Sequence, residues 1–217
     1  DLIALSDKGK VDTKRAERWK QMLSMMPDYE VSEEGDFREW LWKDLQDNHE
    51  HRHASHLIGL YYRRDPEIMK RKTLQEGVDN TICRRLDYRE TSSGVMAFGV
   101  SQLAFPACNL RQGELTGKML TLAGNTYYNN NLMTTHDPHE IFNTDMSGAY
   151  PAIIMQMLAY SDEGGIELLP AIPSSWNKGK IQGMSLRGGI RLEEMEWNAD
   201  MCKATLVSMK NQTIEIS

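Results

Sequence analysis

The sequence predicts a mainly α-helical body over residues 1–162, followed by a small antiparallel β unit over residues 163–217. Three observations predict it. Apolar residues recur near helical spacing through the first three-quarters of the chain. Residues 94–109 are nearly all small or apolar and carry no charge, which suits a helix buried on most sides. After Asp162-Glu163-Gly164-Gly165 the pattern changes to short apolar stretches divided by Pro, Gly and Asn turns.

The elements follow in order. Val11, Ala16, Trp19, Met22, Leu23 and Met26 mark a first helix that Pro27 ends. Phe37, Trp40, Leu41 and Leu45 share one stripe and predict a second, short helix. Asp65-Pro66 starts a third, with Ile68 and Leu74 available for burial. The charge-free segment 94–109 comes next, then helices over Glu114–Ala123 and Ala149–Tyr160, with Asn129-Asn130-Asn131 as a loop. Ile166–Leu169, Gln182–Leu186, Gly189–Leu192 and Ala204–Val207 are the candidate strands. At about 50 residues the β unit is near the lower limit for independent folding, so it is expected to pack on the helices.

Composition narrows the function. The chain has 217 residues, is 40% hydrophobic and carries a formal net charge of −6, enough apolar material for a core. Its basic residues are scattered rather than clustered, which argues against a nucleic-acid groove. Cys83, Cys108 and Cys202 are far apart and odd in number, so they form neither a disulfide framework nor a C-x-x-C metal or redox pair. No apolar run approaches the length of a membrane span. The chain opens at Asp1 without methionine, as expected of a processed or truncated product.

The six histidines fall in two places. His49, His51, His53 and His56 lie close together, and His136 and His139 precede Asp145. Three readings compete. A metal site has enough ligands, but His49, His51 and His53 alternate, which suits neither one helix face nor a His-x-x-x-His pair. A polar network would hold helix ends together through satisfied hydrogen bonds, and His49 and His139 fit it best. A sugar site would use Arg52 and His53 for ring hydroxyls, with Asp145 as one of the two carboxyl groups that glycoside cleavage needs.

The run His51-Arg52-His53-Ala54-Ser55-His56-Leu57-Ile58-Gly59-Leu60-Tyr61 resembles the H-R-H-x-S-H-L-x-G-L-y signature of glycoside hydrolase family 95. Phe37-Arg38-Glu39-Trp40-Leu41 is similar to the L-Q-E-W-L stretch that precedes that signature. Asn131-Leu132, His136 and Asp145 resemble N-L-x-x-A-H-P-P-x-x-x-D-G-N-F-G, with extra residues before Asp145. Glu167 to Pro173 with Trp176 resembles L-L-P-A-L-P-x-x-W, and Gly179 to Gly188 resembles G-x-(I/V)-x-G-L-x-x-R-G. The order and spacing of five stretches make the resemblance specific.

The resemblance implies part of an (α/α)6 barrel followed by a small β domain. It also implies an inverting exo-glycosidase acting on terminal α-L-fucosides or α-L-galactosides of a glycan, with no cofactor or metal. On matching positions Asp145 corresponds to the acidic residue that activates water with upstream asparagines. Arg52 and His53 correspond to sugar contacts, and His136 to a loop position near the site. Asp145 stands at an expected helix start, where unpaired N–H groups complement a negative charge.

The family's asparagine pair and general acid are expected upstream of Asp1, in the rest of the parent chain, so this chain alone is expected to be inactive. A second possibility is a non-catalytic carbohydrate-binding or structural module on the same fold. Glu39 reads as structural rather than as the acid. Asp145-Met146-Ser147-Gly148-Ala149-Tyr150 stands where the family has D-G-N-F-G-G, and Ser92 to Ala97 replaces its T-G-W-S stretch, which leaves the sugar open. The family implies secretion or a periplasmic location.

Overall fold

The computed structural model describes residues 2–9, 11–91, 96–162 and 164–217. The expected start of the charge-free helix at Gly94 and the departure at Ser92 to Val95 lie outside the described residues. The chain opens with two short helices, α1 (Leu2–Asp7) and α2 (Ala16–Ser24), that pack on each other. Asp12 accepts from the Lys14 amide at 3.0 Å and shapes a 3-10 turn over Thr13–Arg15, which shortens the expected Val11–Met26 helix. Within α2 only Ala16 is buried; Met22 and Leu23, and Met25 and Met26 just beyond the helix, are all more than half exposed.

No helix forms over Phe37–Leu45, contrary to the apolar spacing. Polar side chains capture the backbone there. The Glu39 amide donates to Asp47 Oδ1 at 2.7 Å, the Asn48 amide to Glu39 Oε2 at 3.1 Å, and Arg38 Nε to the Trp40 carbonyl at 3.0 Å. Phe37 pairs with Val31 in an isolated bridge and is buried, whereas Trp40, Leu41 and Leu45 are exposed.

The helical body comprises α3 (Pro66–Lys70), α4 (Lys72–Thr91), α5 (Ala97–Asn109), α6 (Gly113–Tyr127) and α7 (Asp145–Leu158). Asp65 caps α3 by accepting from the Glu67 and Ile68 amides at 2.9 and 3.4 Å, ahead of Pro66 in the first turn. At the centre lies α5, with every residue except Phe98 and Phe105 buried. Around it pack α4, α6, α7 and a 3-10 stretch over Ser55–Leu60. Leu57, Leu60, Ile68, Val78, Ile82, Leu103, Met119, Ile153 and Met157 fill the core, each side chain contributing about 1.5–3 kcal/mol by leaving water.

A short link after α5 turns the chain back, so α6 runs antiparallel to it. A small hairpin, β1 (Thr135–Asp137) with β2 (Glu140–Phe142), then leads into α7. This hairpin carries His136 and His139 and was not expected; its strands are too short to leave a period in the sequence. Tyr128, just after α6, donates to the Met146 carbonyl at 3.4 Å and meets the Tyr150 ring at 5.2 Å. The start of α7 is thus held at the end of α6, beside the start of α5.

The C-terminal part is β-structured. One sheet has the order β3 (Ala159–Ser161), β4 (Gly165–Leu168), β8 (Glu215–Ile216), in which β4 and β8 pair in parallel. The other is an antiparallel meander of β5 (Gly179–Leu186), β6 (Ile190–Trp197) and β7 (Cys202–Ser208). Leu158, Met184, Leu192, Met195 and Trp197 form its core against the end of α7. Gly179 is required where it stands, because a Cβ would lie 2.3 Å from the Trp197 ring. The helices and sheets are also joined through Glu167, which pairs with Arg64 and, at 2.7 Å, with Arg111. Among the described residues no helix is long and apolar enough to cross a membrane.

Candidate functional site

The histidine-rich run lies along α5. The Ala54 amide donates to Gln102 Oε1 at 2.8 Å midway along the helix, and Asn109 donates to the Leu60 carbonyl at 2.6 Å at its last residue. The 3-10 stretch between them buries Leu57 and Leu60 against α5, which explains the apolar half of the motif. Arg52 and His53 precede it and sit over the first turn of α5. A Cβ on Gly99 would lie 2.2 Å from the Arg52 carbonyl, so only glycine admits this approach. The Arg52 side chain is exposed, and the His53 ring meets Phe98 edge-on at 6.4 Å. Burial, then the nearby Arg52 and His51, lower the His53 pKa against an opposing Gln102 hydrogen bond. A neutral imidazole offers one donor and one acceptor, the pairing a sugar hydroxyl needs.

The backbone of this run is gripped from α4. Arg85 Nη1 donates to the His51 and His53 carbonyls at 3.1 and 2.6 Å, and Arg89 Nη2 to the Arg52 carbonyl at 2.7 Å. Arg85 also pairs with Glu39 at 3.0 Å, which gives Glu39 a structural task. Neither arginine was among the expected site residues. Their signal was present in the helix period: Thr81, Arg85 and Arg89 continue the buried face of Leu74, Val78 and Ile82.

Asp145 is the first residue of α7 and is exposed. Its Oδ2 accepts from Asn143 Nδ2 at 3.1 Å, while Asn143 Oδ1 accepts from the Met146 amide at 3.2 Å. Asn143 is buried and therefore aims the carboxylate. Ser147 is tied by its hydroxyl to Thr134 at 2.9 Å. His136 lies on β1, half-buried, with Nδ1 3.2 Å from Asp137. Thr135, beside it, donates to the Tyr127 carbonyl at 3.0 Å and fixes β1 to the end of α6.

Arg52, His53, His136 and Asp145 therefore occupy one end of the helix layer, where α5 and α7 begin and α4 and α6 finish. Among the described residues several clefts lie elsewhere. One of about 440 Å³ runs between α7 and β5 beside Tyr62 and Arg187, and one of about 700 Å³ is lined by Glu34, Asp36, Asp47 and His49.

The remaining histidines separate. His49 Nε2 is 3.5 Å from Asp36, and His139 Nδ1 bonds Asn129 Oδ1 at 2.8 Å. His56 stacks near Phe37 at 6.3 Å, and burial foremost lowers its pKa to about 3. Among the described residues one group, Glu34, Asp36 and His49, holds ligand-type atoms within 4.8 Å of one another. The Arg84 guanidinium already sits there, 3.1 Å from Asp36 and 3.2 Å from Glu34, so the cluster is an ion-pair network.

Two sequence families match in tandem. The glycosyl hydrolase family 95 catalytic domain matches residues 1–158, and the family 95 C-terminal domain matches residues 160–217. The chain belongs to glycoside hydrolase family 95. It is 28% identical to Alpha-L-fucosidase 2 of Arabidopsis thaliana over 187 residues, 79% of this chain and 21% of that protein. It is 26% identical to Probable alpha-fucosidase A of Aspergillus niger over 197 residues, 83% of this chain and 24% of that protein. The family 95 chain thus spans about a fifth to a quarter of the length of these relatives.

Proposed function

We propose that this family 95 chain is the C-terminal part of an inverting exo-glycosidase that removes terminal α-L-fucosyl or related α-L-sugar residues from glycans. In this reading residues 1–162 complete part of an (α/α)6 barrel, residues 163–217 form the small β domain, and the rest of the parent chain supplies the facing wall. The supporting observation is the placement of the Arg52-His53 element and Asp145 at one end of parallel helices α5 and α7. The names of the two relatives, an alpha-L-fucosidase and a probable alpha-fucosidase, support an α-fucoside as substrate.

Arg52 donates to ring hydroxyls, His53 donates and accepts, and His136 closes the rim. Asp145, oriented by Asn143, draws a proton from water as that water attacks the anomeric carbon. A carboxylic acid on the other face protonates the leaving oxygen. One carboxylate cannot fill both proton roles, so the acid is assigned to the rest of the parent chain.

A second reading, a carbohydrate-binding module without turnover, draws on Met146, which stands buried where the family has glycine after the acid. The test is an assay of the full-length parent on a panel of α-L-fucosyl, α-L-galactosyl and other α-L-aryl glycosides, with the anomer followed by proton NMR. Release of the β-anomer first supports the proposal. Sugar binding by calorimetry without release supports the second reading.

A further inference from the structure

Three consecutive carbonyls, those of His51, Arg52 and His53, are all held by two arginines one turn apart on α4. Arg85 is fully buried and Arg89 is 6% exposed. Arg89 Nη1 donates back to the Arg85 carbonyl at 3.2 Å, which locks its guanidinium against its own helix and leaves Nη2 for Arg52. Among the described residues no carboxylate pairs with Arg89. Burial, with the neighbouring Arg85 charge, brings its pKa down to about 10. For stability alone an apolar side chain of similar volume serves at least as well as a buried cation. The cost has a geometric return: the backbone on both sides of the Arg52 and His53 side chains is fixed in height and direction.

We propose that Arg85 and Arg89 are positioning residues, which set the direction in which Arg52 and His53 meet the sugar. The inference rests on the sugar-site reading above. Gly99 provides an independent handle on the same joint. A Cβ there would lie 2.2 Å from the Arg52 carbonyl and 2.3 Å from Arg89 Nη2, so Gly99→Ala wedges the contact without changing any charge.

The experiment measures kcat, KM and Tm of the full-length parent on an aryl α-L-fucoside, for Arg89→Met, Arg89→Lys, Gly99→Ala and Arg52→Ala. Arg89→Met is then combined with Arg52→Ala. The expected result is a KM raised about tenfold or more by Arg89→Met, since small misplacements of a binding group carry such factors. Arg89→Lys recovers part of the loss, and Gly99→Ala shifts KM in the same direction. In the Arg52→Ala background Arg89→Met adds a smaller factor than it does alone, because the share of its effect that passes through the Arg52 side chain is already lost. If Arg89→Met does not fold, the same cycle is run with Gly99→Ala. The proposal is overturned if Arg52→Ala raises KM while folded Arg89 and Gly99 variants leave it unchanged. It is also overturned if the two losses simply multiply. An unchanged KM in Arg52→Ala would instead refute the sugar-site reading beneath it.

Discussion

Gln156 donates to Asn109 at 2.7 Å, joining the last turns of α7 and α5 across 47 positions of sequence. The Asn109 amide in turn holds the Leu60 carbonyl, so one buried side chain terminates three elements. Helices α5 and α7 have 13 and 14 residues, each about 20 Å long. With their last turns pinned and their axes running the same way, their first turns fall level. Asp145 therefore begins at the height where the Arg52 carbonyl rests on Gly99.

Arg52→Ala in the full-length parent is expected to weaken sugar binding without unfolding the protein. The structural contact of Arg52 is its carbonyl, which alanine keeps, while its side chain is exposed. Calorimetry with L-fucose should show affinity reduced about tenfold or more, as for loss of a charged hydrogen bond worth about 1.5–3 kcal/mol. A loss of circular dichroism signal would instead assign Arg52 to the polar network.

His56 should make the fold acid-sensitive. Its pKa in the fold is about 3, below the ordinary 6.5, with burial the foremost cause and Arg85 and His49 adding to it. Unfolding then takes up a proton below pH 6.5, so stability is fully present above that value and falls progressively toward pH 3. The slope from this group is at most about 1.4 kcal/mol per pH unit. Urea midpoints at pH 7, 6, 5 and 4 should decline, and His56→Phe should flatten the decline. An equal decline in both proteins would refute the assignment.

Gly113→Ala should destabilise the joint between helices and sheets. A Cβ at this position would lie 2.2 Å from the Ile172 carbonyl, a backbone atom that cannot swing away. The expected cost is about 2 kcal/mol or more, read as a lower Tm. Gly148→Ala, where nothing lies within 4 Å, is the control and should hold or slightly raise Tm, since alanine is favoured over glycine within an exposed helix turn.

The most legible parts of the sequence were those where one local signal dominated. The charge-free run ending at Asn109 could only be buried, and Asp65-Pro66 capped a helix by its own chemistry. The stripe through Phe37 and Leu45 misled because Asp47 and Glu39 bind backbone amides that a helix would have used internally. The apolar residues of α2 have helical spacing, yet most face solvent in this chain, so period alone did not identify core. In the site, Arg52, His53, His136 and Asp145 stood out through the histidine pattern and the family resemblance. Arg85 and Arg89 did not, because a charged side chain reads as solvent-facing until its spacing from Val78 and Ile82 is followed along the helix. Asn143 aims Asp145 from only two residues away, a contact with no pattern of its own.

Turnover of an aryl α-L-fucoside by the full-length parent and its Asp145→Asn variant tests the central claim most directly. Asp145 is exposed, and among the described residues its side chain bonds Asn143, an amide that asparagine at 145 can also meet, so the variant should keep the parent's Tm. The account predicts kcat reduced by about 100-fold or more, the scale of losing a general base. Comparable kcat in a folded Asp145→Asn protein would contradict it.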